Sequence, residues 1–323
     1  MKKIKIIQMG LGGVGRGVVR MVAESNWGEL VGVVDIDSNI TGKDAGEVAG
    51  LSEPIGIVVT NDVTRLYATL DADIVVISTS DGTLESIFPD VIEPLSRGIN
   101  VVTPCMDASD PYLYNADLSS KIQDTCLKNN ATFLGVGSTQ LVARSLLAIS
   151  ETCRNIVKVT CLVHADVTKF PVASKQHEFG ILLSSSDYET AVDTDTLRGR
   201  KALRKEAILI AKSLKLEYDE TVSRYEPILE NDVVMAVSHR FKVLNKGKVV
   251  VDYVYKFIED PKHQYFHEFA IDATPSVNAR IDFSLDRGIE GTIVPLVHCI
   301  PSVVVAAPGI MSMLDLPPGF RCS

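Results

Sequence analysis

The feature that most constrains this chain lies near its start. Ile4–Met9 is a run of β-formers that leads straight into Met9-Gly10-Leu11-Gly12-Gly13-Val14-Gly15. A G-x-G-x-x-G pattern between a strand and a helix demands a tight turn. Gly10 permits that turn, Gly12 lets the backbone approach a pyrophosphate, and Gly15 allows close helix–strand packing. Free amides at the helix N-terminus then attract phosphate charge. Alone, the pattern also suits a glycine-rich turn in a non-binding α/β protein. Here the second strand ends in Val33-Val34-Asp35, and Asp35 stands twenty residues beyond Gly15, where an acid meets the adenosine ribose. The register predicts dinucleotide binding by Gly10, Gly12, Gly13, Val14, Gly15 and Asp35. Asp35 favours NAD, because a carboxylate repels the 2′-phosphate of NADP. Lys43 either reaches that phosphate, which keeps NADP possible, or is a solvated loop lysine.

The same texture continues along the first third. Leu30–Val34, Ile57–Thr60, Ile74–Ser78, Asn100–Thr103 and Thr132–Val136 are apolar runs separated by the helix-length segments Val14–Ser25, Asn61–Leu70, Leu84–Arg97 and Asp117–Asn129. Near-continuous Val/Ile strands alternating with helices predict a parallel sheet buried on both faces, the doubly wound Rossmann class of α/β fold. From about residue 155 the pattern changes. Val157–Val167, Val233–Leu244, Lys248–Glu259 and Gln264–Asp272 read as long strands, with a hairpin signal at Asn245-Lys246-Gly247, and Thr196–Leu216 reads as a helix. Thr168–Asp195 reads as a polar connection. The expectation is a dinucleotide-binding domain over 1–150, rejoined by 286–323 through a helix at Glu290–Val305, and an α+β substrate or dimerisation domain over 151–285 built on a largely antiparallel sheet.

Composition narrows the function. With 32 Lys+Arg against 41 Asp+Glu the net charge is −9, which argues against a nucleic-acid or anionic-membrane partner. No apolar run has the ~18 residues of a membrane span. The N-terminus begins with charges but lacks the apolar region and cleavage site of a signal peptide. The 6 Cys are dispersed without zinc spacing and read as reduced core residues. A soluble cytoplasmic protein is expected, with no metal.

Ser78-Thr79-Ser80-Asp81-Gly82 follows the fourth strand at the carboxyl edge of the sheet. Its small hydroxyl residues let a ribose and nicotinamide approach, and they equally supply an N-cap for the next helix. Thr103-Pro104-Cys105 ends the following strand at the same edge. Together, Gly10–Gly15, Gly42-Lys43-Asp44-Ala45-Gly46-Glu47, Ile77-Ser78-Thr79-Ser80 and Asn100-Val101-Val102-Thr103-Pro104-Cys105 resemble the 2,4-diaminopentanoate dehydrogenases and related amine dehydrogenases, in the dihydrodipicolinate reductase-like group. Gly288-Ile289-Glu290-Gly291, Ile300-Pro301, Ala307-Pro308-Gly309-Ile310 and Asp315-Leu316-Pro317-Pro318 extend the likeness to the C-terminal region. The resemblance implies NAD(P)-dependent oxidative deamination of an amine to a ketone, reversible as reductive amination, in a homodimer.

Two departures fall at the substrate pocket that the resemblance implies. Where the family carries a catalytic glutamate opening an acidic pair, this chain reads Met106-Asp107. Where the family carries Gly-x-Asn-Pro-Gly, it reads Gly137-Ser138-Thr139-Gln140. Chemistry at a C–N bond needs a group to shuttle protons near the working pH. Asp107 is the nearest carboxylate, and it or Ser109 equally suits a helix cap. In the second domain Lys169, Lys175, His177 and Glu178 lie in the polar connection. His177 titrates near neutrality if unperturbed, and Lys175 either binds a substrate carboxylate or is solvated. Met106, Ser138, Thr139 and Gln140 are the other substrate-contact candidates. His164 reads as a packed strand histidine, and His263-x-x-x-His267 has ligand spacing only if helical. The leading expectation is an amine dehydrogenase-like oxidoreductase for a small amine or amino acid. The alternatives are a reductase of preformed imines and a non-catalytic dinucleotide sensor.

Overall fold

The structure, a computed structural model, describes residues 2–79, 83–137, 141–168, 172–260, 262, 264–284 and 288–316. The chain forms two compact units, Met1–Gln140 with Gly288–Ser323, and Leu141–Arg287. In the first, β1 (Ile4–Met9), β2 (Gly28–Val34), β3 (Val59–Thr60), β4 (Ile74–Ile77), β5 (Asn100–Thr103) and β6 (Thr132–Gly135) alternate with α1 (Gly13–Glu24), α2 (Ala45–Ala49), α3 (Val63–Thr69), α4 (Leu84–Ser96), α5 (Pro111–Tyr114) and α6 (Ala116–Asn129). The strands are parallel in the order β3-β2-β1-β4-β5-β6. All four residues of β4 are buried, as a strand covered on both faces must be. The strand order reverses between β1 and β4, and a doubly wound sheet binds ligands at such a switch point. Met9 pairs with both Val34 and Ile77, so Gly10, Asp35 and Ser78 emerge at one edge.

The second unit holds α7 (Leu141–Ser150), β7 (Arg154–Asp166), α8 (Val172–Ser174), α9 (Ser185–Asp193) and α10 (Arg198–Ser213). β8 (Glu220–Glu230), β9 (Val233–Asn245), β10 (Lys248–Ile258), β11 (Tyr265–Thr274) and β12 (Val277–Phe283) complete it. Its sheet runs β12-β11-β7-β10-β9-β8, and only β7 and β10 pair in parallel. Along β7 the residues Val159, Cys161, Val163 and Ala165 are buried while their neighbours are half-buried. α7 and α10 pack on this sheet. α7 falls in the second unit, ahead of the 150/151 boundary expected from sequence, because Val142, Ala143 and Leu146 are buried in it and it packs on α10 and β11.

Three further readings need adjustment. Thr168–Asp195 is not a plain connection. α8 runs into a π-helical turn over Lys175–Phe179, and Ser184 caps α9 by accepting from the Asp187 amide. Ser184, Ser185 and Ser186 open a helix within that stretch. β8 and β12 are strands that the sequence reading left out. β8 alternates half-buried and exposed residues around Pro227, which suits its place at the sheet edge. The C-terminal helix is two, α11 (Gly288–His298) and α12 (Ile300–Val304), broken next to Pro301, which has no amide to donate. β13 (Gly309–Met311) then pairs in parallel with β6. Cys105, Cys126, Cys153, Cys161 and Cys299 form no disulfide. Among the described residues no helix is long and apolar enough to cross a membrane, and no His/Cys/Asp/Glu group could hold a metal.

Candidate dinucleotide site

Gly10 has φ +88°, and a Cβ there would meet the Ser78 carbonyl oxygen at 2.6 Å. Both facts restrict the position to glycine. A Cβ on Gly15 would lie 1.9 Å from the Gly10 oxygen, so α1 presses directly on the turn. Gly12 is different. Nothing lies within 4 Å of a Cβ placed on it, so its neighbourhood is open. Gly12 is also the N-cap of α1, which has no side-chain cap and no acidic residue in its first turn. Four orphan amides at a helix N-terminus need an acceptor, and a pyrophosphate is the group this turn fits. Gly13, Val14 and Gly15 supply those first-turn amides.

Asp35 follows β2 and is half-buried. Its Oδ2 accepts from the Leu11 amide at 2.5 Å and its Oδ1 from the Asp37 amide at 2.9 Å. The acid that the sequence assigns to ribose therefore also ties the glycine turn to the end of β2. Each carboxylate oxygen keeps a further lone pair for a ribose hydroxyl. Ile36, next in sequence, is 92% exposed.

A residue absent from the sequence reading holds the turn from below. Gln8, fully buried in β1, donates through Nε2 to the Gly10 oxygen and to Ser78 Oγ, both at 2.8 Å. Ser78 Oγ in turn donates to the Gly10 oxygen at 3.1 Å. A polar residue amid Ile6, Ile7 and Met9 was the available signal, since a buried amide N–H seeks an acceptor, although Gln8 Oε1 has no partner among the described residues. Ser78 thus braces the turn, and Thr79 donates to Asp90 on α4 at 3.1 Å. Thr103 is buried, and its hydroxyl accepts from the Cys105 amide at 3.2 Å, shaping the turn after β5. Lys43 is exposed. Ser80, Ser138, Thr139 and Gln140 lie outside the described residues.

Met106 opens a 3-10 turn, Met106–Ser109, and is half-buried. The turn sits close on β6, where a Cβ on Gly135 would come within 2.0 Å of the Ala108 oxygen. The Asp107 carboxylate accepts from the Leu84 amide at 3.0 Å, so it serves the N-terminus of α4, the capping alternative of the sequence reading. Asp44, in the second resembling segment, is likewise a cap. Burial raises its carboxyl, but bonds from Ile55, Glu47, Gly46 and Gly56 amides outweigh this and hold it below the usual carboxylate range.

In the second unit Lys175 is buried, with its ammonium paired to Glu259 and donating to the Thr168 oxygen at 3.2 Å. It is an internal ion pair rather than a loop lysine open to solvent. The His177 side chain and His263 lie outside the described residues. His164 Nε2 meets Asp260 at 3.1 Å while its ring stacks on Phe266. His267 lies in β11, not on a helix.

Residues 4–93 match the family described as dihydrodipicolinate reductase, N-terminus. The chain is 26% identical over 345 residues to a 2,4-diaminopentanoate dehydrogenase from Acetoanaerobium sticklandii, spanning 98% of this chain and 94% of that protein. It is 30% identical over 129 residues to a 4-hydroxy-tetrahydrodipicolinate reductase from Nostoc sp., spanning 38% and 45%. Among solved structures, an amine dehydrogenase from Mycobacterium smegmatis superposes with a TM-score of 0.81 over 99% of this chain and 97% of that one, at 19% identity. The fold is shared with that amine dehydrogenase along nearly the whole chain.

Proposed function

We propose that this chain is an NAD(P)-dependent oxidoreductase acting on the C–N bond of a small amine or amino acid, by oxidative deamination or the reverse reductive amination. One observation carries the reading. The uncapped N-terminus of α1, open at Gly12, lies beside Asp35 at the switch point of the sheet, in a chain similar along its length to a 2,4-diaminopentanoate dehydrogenase. A bound nicotinamide supplies the hydride acceptor or donor. The chain's residues grip the pyrophosphate with the Gly13–Gly15 amides and orient the adenosine ribose with Asp35. Asp35 supports NAD over NADP. The Ser78 and Thr79 hydroxyls already donate to protein groups, whereas that of Thr103 accepts from the Cys105 amide and keeps its own hydrogen for a cofactor contact.

Asp107 is bonded to Leu84, which supports a positioning role and leaves proton handling to another group. Met106 supports a second reading, reduction of a preformed imine, because that reaction needs no carboxylate to activate ammonia. Assays with NADH separate the two: ketone plus ammonium turns over under the first, and only preassembled imines under the second. Tight NADH binding without hydride transfer to any amine, ketone or imine would overturn both in favour of a sensor. The chain is further proposed to act as a homodimer in the cytoplasm. The half-buried, polar face of the second sheet, with Thr160, His164 and Lys158, supports a self-associating surface, and light scattering at twice the 35.1 kDa chain mass tests it.

A further inference from the structure

Glu206 is a carboxyl group placed where a core built for stability alone would not put one. It projects from α10, is 4% exposed, and faces the covered side of the second sheet. The Tyr253 hydroxyl donates to its Oε2 at 2.6 Å. Its other oxygen, Oε1, has no hydrogen-bond partner among the described residues. A buried oxygen left without a donor needs an explanation, and here the surroundings supply one.

Tyr253 and Tyr255 share one face of β10. The Tyr255 hydroxyl meets that of Tyr265 on β11 at 3.2 Å. The Tyr265 ring lies 5.5 Å from His267, which is 1% exposed and whose ring nitrogens also lack partners. Phe257 stacks on Tyr255 at 4.4 Å, and Phe241 lies 6.2 Å from Tyr253. Tyr255 and Tyr265 are half-buried as residues, while their paired hydroxyls lie inside the unit.

The cluster contains a carboxyl, three phenols and aromatic faces, and no positive charge. Glu206 acts electrostatically on Tyr253, Tyr255, Tyr265 and Cys161. Burial raises Glu206 to about 8, and the Tyr253 hydroxyl moderates that rise. The charged groups on the elements packed against α10 are Arg144 on α7, Lys175, His177 and Glu178 on the π-helical turn, His239, Arg240 and Lys242 on β9, and Lys248, Asp252 and Lys256 on β10. None of those whose side chains are described is among the causes of that shift. Burial holds His267 neutral, down to about 4. Aromatic faces around a carboxyl group that can give up its proton are a surface that binds an alkylammonium.

We propose that Glu206, Tyr253, Tyr255 and Tyr265 form a binding site for the ammonium group of a small aliphatic amine. Glu206 Oε1 accepts from its N–H, and the tyrosine rings face its charge. This deepens the C–N reading by naming the group recognised, and it rests on that reading only for the amine being a substrate. Proton balance gives the site a signature. At neutral pH Glu206 is protonated and the ligand arrives as R–NH3+. Forming the ion pair therefore leaves one proton to go to solvent, and affinity rises with pH up to about 8.

The test is calorimetry on the full chain with n-propylammonium chloride at pH 7, in two buffers of different ionisation enthalpy, with n-propanol as the uncharged control. The expected result is binding with release of about one proton, n-propanol at least tenfold weaker, and Glu206→Gln weakening propylammonium tenfold or more while NADH affinity stays unchanged. Tyr253→Phe should weaken it several-fold. Equal affinity in wild type and Glu206→Gln, no proton release, or equal binding of n-propanol would overturn the site. If Glu206→Gln does not fold, proton release by the wild type and the Tyr253→Phe series decide alone. Propylammonium binding without turnover of any amine upholds the site and removes the oxidoreductase reading. Amine turnover with no loss of propylammonium affinity in Glu206→Gln does the reverse.

Discussion

The Asp107 carboxylate accepts from the Leu84 amide at 3.0 Å, joining the turn after β5 to the first residue of α4. Thr83 completes the cap by accepting from the Ser86 amide at 3.2 Å. Removing the acceptor with Asp107→Ala should cost about 1 kcal/mol of stability in urea titrations. Asp107→Asn keeps an acceptor oxygen and should retain most of that stability, with kcat within a few-fold of wild type. A kcat fall of about 10²–10⁴ in Asp107→Asn at unchanged stability would instead make the carboxyl a proton carrier.

Gln8 joins β1, the Gly10 oxygen and Ser78 Oγ. Gln8→Leu fills the space but takes a donor from both oxygens, leaving the Gly10 oxygen the Ser78 hydroxyl, so it should lower stability by about 1–3 kcal/mol. It should also weaken NADH and NADPH together, because the turn itself loosens. Fluorescence titration with both cofactors beside thermal melts reads out both effects.

Asp35→Ala removes the ribose acceptor and the bond to Leu11. NADH affinity should fall about tenfold, roughly 1.4 kcal/mol. NADPH affinity should fall less, because its 2′-phosphate gains from losing a nearby negative charge. Equal losses for the two cofactors would assign Asp35 to the turn alone.

Met106→Glu puts a carboxyl at the head of the 3-10 turn, in a half-buried position. Reductive amination of small ketones by ammonium should appear or increase by at least tenfold, with NADH affinity unchanged. Initial rates with ketone plus ammonium, against the same ketone plus a preformed imine, measure it.

Stability should fall on both sides of a mildly acidic optimum. The folded state keeps a proton on Glu206, raised to about 8 from the ordinary 4.5. That contribution is fully present below 4.5 and drains as pH rises through 8, at ~1.4 kcal/mol per pH unit. His267 is the opposite case. Burial holds it to about 4 against an ordinary 6.5, so its contribution is present above 6.5 and is lost as pH falls toward 4. Between 4.5 and 6.5 the two slopes oppose each other, so urea titrations between pH 4 and 9 should show a plateau there and a loss on either side. Glu206→Gln should flatten the alkaline one and His267→Leu the acidic one.

The first unit was legible in sequence because its physics is local. A parallel strand buried on both faces must read as a short apolar run, and β1, β4 and β5 do, to within a residue of their ends. The glycine turn was legible because sterics leave Gly10 and Gly15 no alternative. What escaped depends on distant partners. Gln8 has meaning only once Gly10 and Ser78 stand above it. Lys175 reads as a loop lysine until Glu259, far along the chain, faces it. Glu206 falls on the apolar stripe of α10, and only Tyr253 shows why a carboxyl is there. Asp107 admitted two readings, and its bond from the Leu84 amide becomes visible only when the start of α4 stands beside it.

The edge of the nucleotide-binding sheet is finished by β13, which hydrogen-bonds to β6 after the whole second unit has intervened. On the ribosome, then, β6 emerges with one side of its backbone unsatisfied and waits for Met311 to pair with Leu134. At roughly 5–20 residues per second that interval lasts on the order of 10–35 s. For that time the nascent chain carries an unpaired strand edge, the feature that folded sheets cover.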